Sequence, residues 1–473
     1  MTMKLGVQEE PAIYKVLTEP SRIASRSLRS LGVWSGGGTP SKSVAAYWTG
    51  GTIPWVSPKD MKVARIRDAE DHITADAVAG SATSLVKAGA VVLVVRSGIL
   101  KHSLPVAVTD VDVALNQDMK ALQPFAGVEA AYVAWALRAN AQQILQGCTK
   151  AGTTVQSIEM PALLDFEIFL PAPNEQRNVV ETVEARLSLL DASVAGLHRV
   201  QANLKRYRAS VLKSACEGRL VPTEAELARQ EGRNFETGAQ LLQRVLTEQR
   251  ARCRERKYKE PTSPALADLP ELPSGWHWGT MPQLGELNRG KSKHRPRDDD
   301  QLYGGPHPFI QTGDVRHADG VLSRHSQTYS EFGLAQSRLW PAGTLCITIA
   351  ANIAETARLS YPACFPDSIV GFVCDSGEAM TKWVQIFLAT AKENLETFAP
   401  GTAQKNINLE VLQNVAVPLP PLAEQHRIVA EADRRLSLIR VAQAQVSANL
   451  ARAQRLRQSI LQAAFRTPAQ AGQ

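Results

Sequence analysis

The sequence predicts an α+β fold: two similar mixed α/β domains joined by two long antiparallel coiled-coil helices, related by a pseudo-twofold axis. Two observations predict this architecture. The 473-residue chain consists of two halves of roughly 250 residues that share one plan, and a period of that length indicates a duplicated domain rather than a solenoid unit. Each repeat ends in a long proline-free segment in which apolar residues recur every seven positions, as in a coiled coil.

The duplication is visible in two registers. Ile53–Met61 aligns with His307–Val315 at an offset of 254 residues, and the same offset places Val91–Val95 over Leu345–Ile349. Further along the chain the offset is 249, which pairs residues 175–176 with 424–425 and residues 186–189 with 435–438. Because several residues match at each of the two offsets, we predict that both halves have the same fold and that insertions in loops account for the change of offset.

The chain divides into five parts on this pattern. Short valine-rich runs between Gly/Pro turns, followed by a helical segment at Glu129–Ile144, predict a mixed domain. Proline then ends a strand at Phe166–Leu170, and a long helix opens at Asn174 or Glu175. We predict a first domain at 20–172, a first long helix at 173–218, a linker with a charged helix at 219–270, a second domain at 271–420 and a second long helix at 421–466.

The two long helices have seams typical of mutual packing. A helix of about 42 residues is about 63 Å long, so an antiparallel pair would hold two similar domains at a fixed separation. That arrangement suits a ligand with two half-sites, and duplex DNA, with a turn of about 34 Å, is the obvious candidate. Gln201 and Arg208 interrupt the first seam. The predicted seam residues are Val180, Val183, Leu187, Leu190, Val194, Leu197 and Leu204 in the first helix, and Val429, Leu436, Ile439, Val446, Leu450 and Ile460 in the second.

The linker carries a basic helical piece, Ala239–Lys257, followed by a proline-rich connector from Pro261 to Pro273. This helix could touch phosphate or could be a solvated face. The sequence leaves both readings open.

Composition excludes some classes of protein. A net charge of +7 and a pI near 9.1 are compatible with a polyanionic partner. No apolar run approaches the roughly 18 residues of a membrane span, so no membrane contact and a cytoplasmic location are expected. The six cysteines (Cys148, Cys216, Cys253, Cys346, Cys364 and Cys374) are scattered without metal-ligand spacing, and no metal site is expected.

Catalytic motifs are weak. Gly285–Ser292 matches the phosphate-loop pattern, but that loop requires a helix immediately after it, and Pro296 with a charge cluster follows instead. Pro366-Asp367 could open a nuclease motif, yet no Glu-x-Lys follows at a useful distance. An enzyme with a nucleotide or nuclease site therefore remains an alternative, as does a coiled-coil scaffold without DNA.

Several segments together resemble the specificity subunit of type I restriction-modification enzymes, over nearly the whole chain. Ser35–Lys42 and Ile53–Ser57 resemble the start of a target recognition domain, and Leu269–Trp278 resembles the entry to a second one. Leu170–Arg177 and Leu419–Arg427 resemble the junctions into the family's two spacer helices.

The resemblance implies a non-catalytic subunit that reads double-stranded DNA. Each recognition domain would read one half of a split target, while the helices would set the gap and dock two modification subunits. S-adenosylmethionine, ATP and Mg²⁺ would bind to those subunits and to the restriction/translocase subunits, and no cofactor would bind to this chain.

Loop residues that donate to phosphates or base edges are the candidate DNA contacts. Trp55, Phe309, Asp60 and Asp314 occupy matched positions in the two repeats, which favours a shared fold role over base reading. Glu175-Gln176 and Glu424-Gln425 could cap the long helices or contact a partner. The predicted contacts are Gly38, Thr39, Ser41, Lys42, Ser57, Lys59, Arg96, Lys101 and His102 in the first domain, and Arg289, Lys291, Lys293, Arg295, Arg297, Gln311 and Thr312 in the second.

Overall fold

A computed structural model describes residues 24–150, 155–252, 258–266, 269–350, 354–374, 376–397 and 409–465. The chain folds into two compact units: unit 1 takes residues 1–198 and 447–473, and unit 2 takes residues 199–446. Each unit therefore contains one mixed α/β domain together with segments of both long helices. Over the described residues, no helix combines the length and apolar character that crossing a membrane would require.

The described part of unit 1 consists of short strands and helices that lead into the first long helix. Its strands are β1 (Ala24–Ser27), β2 (Gly32–Gly36), β3 (Ile53–Val56), β4 (Arg65–Ile66), β5 (Asp71–Ile73), β6 (Leu85–Val86), β7 (Val91–Val94), β8 (Val106–Thr109), β9 (Val113–Leu115), β10 (Met119–Pro124), β11 (Thr149–Lys150), β12 (Ser157–Ile158) and β13 (Glu167–Leu170). Its helices are α1 (Ala75–Gly80), α2 (Ala130–Ala139), α3 (Ala141–Gly147), α4 (Met160–Asp165) and the beginning of α5 (Pro173–Cys216).

The described part of unit 2 has the corresponding composition. Its strands are β14 (His277–Thr280), β15 (Glu286–Arg289), β16 (Tyr303–Phe309), β17 (Val321–Leu322), β18 (Gln327–Tyr329), β19 (Leu345–Thr348), β20 (Thr356–Leu359), β21 (Ile369–Val373) and β22 (Ala416–Leu419). Its helices are α6 (Glu224–Glu231), α7 (Gly238–Arg252), α8 (Met281–Leu284), α9 (Thr312–His317), α10 (Glu331–Ala335), α11 (Glu378–Thr397), α12 (Leu409–Asn414) and the beginning of α13 (Leu422–Ala464).

The main sheets of the two units follow one plan. The strand order is β2-β10-β7-β8-β4 in unit 1 and β15-β21-β19-β20-β17 in unit 2, and in each sheet the last pair alone is parallel. A glycine at positive φ precedes each central strand: Gly89 (82°) donates its N–H to Thr109, and Gly343 (86°) donates to Leu359. The predicted duplication is therefore confirmed down to a matching turn.

Both long helices carry the predicted seam. α5 has 44 residues and α13 has 43. Pro173 opens α5, where its missing N–H costs no hydrogen bond, and Gly218 at a φ of 67° follows its end. Every predicted seam residue is buried or half-buried. In unit 1, Val183 and Leu187 are buried in the core where α5 packs on the domain, whereas Leu190 lies outside that core and is half-buried.

The two helices run antiparallel within unit 1. Leu187 of α5 and Ala464 of α13 belong to one core. One helical turn later along α5, Asp191 forms an ion pair of 2.6 Å with Arg457, which lies earlier on α13. Moving forward along one helix therefore means moving backward along the other.

Two helix boundaries differ from the sequence prediction. The helix predicted at Glu129–Ile144 is divided into α2 and α3 at Asn140, whose side chain donates to the carbonyls of Ala136 and Phe465. The first long helix begins at Pro173, before the predicted Asn174 or Glu175.

The predicted linker is built into unit 2. Within residues 219–252, Leu220, Leu241, Leu242 and Val245 are buried in the core of that unit. The helix predicted at 239–257 is α7, Gly238–Arg252, and residues 253–257 lie outside the described ones. The sequence analysis missed α6, although Thr223 and Glu226 form the capping box that marks its start. The part of the predicted linker at 219–252 therefore packs against the core of unit 2.

Candidate nucleic-acid interface

Each unit projects one loop from the same strand of its five-stranded sheet. In unit 1 the loop follows β2, and the Gly37 N–H donates to the Met119 carbonyl of β10. In unit 2 the loop follows β15, and the Gly290 N–H donates to the Ile369 carbonyl of β21. The loops at 37–44 and 290–299, which we call loop 1 and loop 2, therefore leave equivalent points of two equivalent sheets.

Loop 1 is held by its backbone. The Gly38 N–H donates to Leu115 at 2.8 Å, and the indole of Trp55 donates to the Gly38 carbonyl at 3.0 Å. The indole of Trp48 donates to the Ser41 carbonyl at 3.2 Å. Gly38 is buried and closely packed against backbone, so its role is to shape the loop.

The side chains of loop 1 point outward from that frame. Thr39, Ser41 and Lys42 are exposed. Thr39 donates to Gln117, and Ser41 and Ser43 share a hydrogen bond of 2.8 Å. Loop 1 therefore offers mainly hydroxyl groups and one cation.

Loop 2 is anchored in the same way but carries different side chains. The Lys291 N–H donates to Phe365 at 3.1 Å, and the Ser337 hydroxyl donates to the Lys291 carbonyl at 2.7 Å. The Lys293 N–H donates to Gln336 at 3.2 Å. Since the backbone carries the anchoring, the ammonium groups of both lysines remain exposed.

A second shared feature lies after the first strand of each small sheet. Asp60 accepts from the backbone and hydroxyl of Ser57, at 2.9 and 2.8 Å, and Asp314 accepts from the backbone of Gln311 at 2.8 Å. Each pair forms a capping box. The aromatic residue at the head of each turn is 4% exposed in both units. The predicted fold role of Trp55, Phe309, Asp60 and Asp314 is confirmed.

The capping geometry also places three predicted contacts. Ser57 is 6% exposed, and its hydroxyl is occupied by Asp60. Gln311 is exposed and donates its side-chain amide to Gln327, while Thr312 is half-buried in the first turn of α9. Of the three, Gln311 has the side chain best exposed to a ligand.

Several predicted cations are held in ion pairs. Lys59 lies 2.9 Å from Asp71 and 3.2 Å from Glu70, and the hydrogen bond that it donates to Asp71 raises the pKa of Lys59. The remaining pairs are Arg96 with Asp118 at 2.6 Å and Arg297 with Asp367 at 2.8 Å. To bind phosphate, these three side chains would have to exchange a carboxylate for it.

The other predicted cations have no carboxylate partner among the described residues. Arg295 donates to the carbonyls of Ser292 and His294, both at 2.7 Å, and so keeps its charge uncompensated while bracing loop 2. Uncompensated surface cations are the groups that displace counterions from a nucleic-acid backbone. They are Lys42, Lys101 and His102 (when protonated) in unit 1, and Arg289, Lys291, Lys293 and Arg295 in unit 2.

The phosphate-loop match has the wrong geometry. Glu286–Arg289 is a strand, and no helix begins between Gly290 and Asp299. The backbone N–H groups of Gly290 and Lys291 donate to carbonyls of the sheet core rather than converging on a ligand. The match is therefore a coincidence of sequence.

Asp110 and Asp367, the second of which belongs to the possible nuclease motif, are both paired with arginine. Asp110 pairs with Arg65 at 2.6 Å and with Arg67 at 3.0 Å, and the hydrogen bonds from Arg65 and then Arg67 hold the pKa of Asp110 below its ordinary value. Asp367 pairs with Arg297. Among the residues that the structure describes, no group of three or more His, Cys, Asp or Glu side chains could hold a metal ion, and Cys253 lies outside them.

Sequence reasoning missed one basic cleft in unit 2. It has a volume of about 670 Å³. Acidic side chains offset much of its charge: Arg440 lies 3.4 Å from Asp319, and Lys382 lies 3.1 Å from Asp433. No sequence signal marks it, because its lining comes from five separate stretches of chain. The basic residues that line it are Arg208, Arg316, Arg358, Lys382 and Arg440.

The Glu and Gln side chains at the start of the long helices form hydrogen bonds with other residues of this chain. The amide of Gln176 donates to the Pro171 carbonyl at 2.8 Å, and Gln425 donates to Pro420 at the same distance. The carboxylate of Glu424 accepts from the Glu224 N–H and the Trp276 indole. The repeated Glu-Gln pairs therefore fasten the start of each long helix.

Comparison with known proteins gives matches in both halves of the chain. The family model described as type I restriction modification DNA specificity domain matches residues 20–193 and 273–435. The chain is 39% identical to the type I restriction enzyme EcoR124I/EcoR124II specificity subunit of Escherichia coli over 183 residues, which are 38% of this chain and 45% of that protein. Less than half of that relative's length is therefore matched.

A second relative is matched over a longer stretch. The chain is 26% identical to the type I restriction enzyme EcoDI specificity subunit of Escherichia coli over 347 residues, covering 72% of this chain and 70% of that protein. A solved structure described as the structural basis of complex assembly and conformational transition of the type I R-M system has a chain that superposes with a TM-score of 0.62. That likeness covers 94% of this chain and 98% of the other at 19% identity, and it supports the fold.

Proposed function

This chain belongs to the type I restriction-modification DNA specificity family, and from that premise we propose that it reads a bipartite target in double-stranded DNA. The domains at 20–172 and 271–420 are the two target recognition domains, each reading one half of the target. The long helices fix the gap between the halves and dock two modification subunits. A cytoplasmic location follows from the DNA substrate.

One observation carries this proposal: two equivalent loops on equivalent sheets carry different side chains. Loop 1 exposes Thr39, Ser41 and Lys42, whereas loop 2 exposes Lys291 and Lys293 beside Arg295, which braces it. An identical frame with different exposed chemistry is what recognition of two unlike half-sites requires, since base edges are read by hydrogen bonds and phosphates by cations.

The proposal assigns no chemical step to this chain. Adenine methylation with S-adenosylmethionine belongs to the modification subunits, and ATP-driven translocation with Mg²⁺ belongs to the restriction subunits. The proposed role of this chain is to position the modification and restriction subunits on a specific DNA sequence.

Mapping of methylated adenines in cells that express this chain with its modification subunits tests the proposal. The expected result is a split motif with two unlike halves and a constant gap. An exchange of unit 1 between two such chains should change one half of the motif and leave the other. A continuous motif, or methylation without any motif, would contradict the proposal.

Replacement of both loop 2 lysines is expected to weaken DNA binding through charge. In Lys291→Ala/Lys293→Ala, affinity should fall for specific and nonspecific duplexes, and the slope of log K against log salt should decrease by about two, because each phosphate contact contributes roughly one counterion. Fluorescence anisotropy from about 50 to 200 mM salt measures this. Arg244→Ala is the control, because that side chain is engaged by Glu236 at 2.8 Å. If the salt dependence of the affinity were unchanged, loop 2 would not contact the phosphate backbone of the DNA.

A further inference from the structure

One aromatic side chain beside loop 2 is exposed to solvent. Phe332 is the second residue of α10 and is 40% exposed. Among the phenylalanine, tyrosine and tryptophan residues that the structure describes in 271–420, it is the only exposed one. Lone apolar side chains on a surface are common, and Phe332 differs from them in how it is held and in what surrounds it.

The ring of Phe332 packs against loop 2. Its neighbour is the imidazole of His294, whose ring centroid lies 5.2 Å from that of Phe332 at an interplanar angle of 77°. His294 is fixed in turn, because its Nε2 lies 2.7 Å from a carboxylate oxygen of Asp299. Part of the phenyl ring is therefore covered by the protein, and only its outer part is free to touch a ligand.

The backbone of α10 is also fastened to loop 2. The Ser330 hydroxyl caps the helix by accepting from the Gly333 N–H at 3.1 Å, and the Gln336 carbonyl after the helix accepts from the Lys293 N–H at 3.2 Å. A Cβ atom at Gly333 would lie 2.3 Å from the Leu302 carbonyl oxygen, so the helix packs closely on the chain before it. A ring on so fixed a backbone loses little conformational freedom when it binds a ligand.

The charges around Phe332 suit a nucleic acid. Residues 290–297 contain four cations and no acid, and Lys291, Lys293 and Arg295 have no carboxylate partner among the described residues. Glu331, which precedes the ring, lies 2.9 Å from His307, and the acidic run at 298–300 comes only after these cations. A phenyl group beside uncompensated cations fits a polyanion that also presents apolar groups, as DNA does at the methyl group of thymine.

We propose that Phe332 reads a thymine in the half of the target recognised by unit 2, by packing the outer part of its ring against the C5-methyl group in the major groove. This rests on the proposed function and deepens it by naming one base contact. A wedge residue must insert between two base pairs, but most of the Phe332 side chain is already covered by the protein. Contact with a methyl group needs only the part of the ring that is free.

Unit 1 has the corresponding helix without the ring. The Thr74 hydroxyl caps α1 by accepting from the Ala77 N–H at 3.3 Å, as Ser330 caps α10, so the position equivalent to Phe332 is the exposed Asp76. A carboxylate accepts hydrogen bonds and offers no apolar surface to a methyl group. The thymine contact is therefore expected in one half of the target only, as two unlike half-sites require.

Removal of the thymine methyl group tests the contact directly. The full chain with its modification subunits would be bound to duplexes that carry the target found by mapping methylated adenines, with each thymine of the half read by unit 2 replaced in turn by deoxyuridine. For the wild type, one replacement should weaken binding about fourfold, the value expected from burial of one methyl group. Phe332→Ala should not distinguish thymine from deoxyuridine at that position, whereas Phe332→Leu should retain part of the preference because it keeps an apolar side chain.

Asp76→Ala and Phe125→Ala are the matched controls. Asp76 occupies the equivalent helix position in unit 1, and Phe125 is an aromatic residue with 52% exposure whose N–H donates to Leu31, at the end of β2 opposite to loop 1. Both variants should keep the thymine preference in the half read by unit 2. A damaged fold would lower the affinity for every duplex alike, whereas loss of the contact removes the response to a single methyl group.

Each other outcome overturns a distinct statement. If the half read by unit 2 contains no thymine, if the wild type distinguishes none of its thymines from deoxyuridine, or if Phe332→Ala still does so, the methyl contact is wrong while the proposed function stands. If thymines of that half become reactive to permanganate with the wild type but not with Phe332→Ala, the ring wedges between bases and the methyl contact is again wrong. If the wild-type complex binds its mapped target no better than a random duplex, the proposed function itself fails.

Discussion

Alanine at position 290 is expected to abolish reading of one half of the DNA target and to leave the other half readable. A Cβ atom there would lie 2.3 Å from the Phe365 carbonyl oxygen and 2.4 Å from that of Pro366. Both atoms are backbone, so neither can swing away. The end of β15 must therefore shift, and the side chains of Lys291 and Lys293 shift with it.

The effect on binding should exceed the effect on folding. Overpacking of this kind costs typically about 1–3 kcal/mol of stability, which a core as large as that of unit 2 can absorb. Loss of the loop geometry should cost at least about tenfold in affinity for the intact target, equivalent to about 1.4 kcal/mol. Binding to duplexes with either half-site randomised separates the two halves: Gly290→Ala should no longer distinguish the half read by unit 2.

Two glycines serve as controls. Gly313→Ala should be neutral, because no atom of another residue would come within 4 Å of its Cβ and it lies inside α9. Gly37→Ala should produce the reciprocal defect in unit 1, since its Cβ would lie 1.9 Å from the Asn116 carbonyl oxygen. Full discrimination of both half-sites by Gly290→Ala would show that loop 2 does not read DNA.

The framework of this fold was predictable because it is periodic or repeated. The heptads of α5 and α13 place Leu187 and Val429 on one side of each helix whatever the tertiary contacts are. Comparison of the two repeats separates fold from function at Trp55 and Phe309, since a residue kept in both copies of a diverged domain serves what the copies share. Both are buried, as expected.

The details of the site depend on contacts between residues distant in sequence. Arg297 and Asp367 are 70 residues apart, and nothing in the sequence indicates that one engages the other. The same holds for Lys59 and Arg96, whose acidic partners Asp71 and Asp118 lie 12 and 22 residues away. A basic residue in a loop is therefore recognisable from sequence, but whether its charge is available to a ligand is not.

The divided helix at Asn140 shows a similar limit. Its amide donates to Phe465, 325 residues away, and this contact fixes an interruption that local propensity leaves undecided. Likewise, helix α6 carries a recognisable capping signal, yet its place in unit 2 depends on an ion pair between Glu224 and Arg427, 203 residues apart.

Removal of that ion pair is the second change with a large expected effect. The Glu224 side chain is 3% exposed and is held by Arg427 and Arg233, each at 2.6 Å. Arg427→Ala leaves a buried carboxylate with one partner. Breaking a buried pair costs about 3–5 kcal/mol, and we expect a value near the lower end because Arg233 remains.

The loss should be local to unit 2. Glu224 opens α6 and Glu424 lies in the first turn of α13, and the Glu224 N–H donates to the Glu424 carboxylate at 2.8 Å. Hydrogen exchange should therefore speed up in α6 and in the first turns of α13 while the sheets of unit 1 keep their protection. Arg434→Ala is the control: its pair with Glu431 is exposed on the arginine side, so its removal should change stability and hydrogen exchange far less.

The pH dependence gives an independent readout of the same network. Burial raises the pKa of Glu224, but the hydrogen bonds from Arg427 and Arg233 outweigh it, and the net pKa lies below the ordinary 4.5. A depressed carboxyl pKa contributes stability above the unfolded value, and that stability is lost as the pH falls through the folded value. Burial shifts Glu424 the other way, to a raised pKa, so its contribution is present at low pH and is lost as the pH rises.

On acidification, the contribution of Glu224 to the free energy of unfolding therefore falls while that of Glu424 rises. Arg427→Ala removes much of the Glu224 contribution. Below about pH 4.5, the wild type should lose the stability that Glu224 provides, whereas the variant has little of it left to lose. The difference in unfolding free energy between the two should thus be largest near neutral pH and shrink as the solution is acidified. A difference that stayed constant from pH 7 to about pH 3 would show that Arg427 stabilises unit 2 through packing rather than through the charge of Glu224.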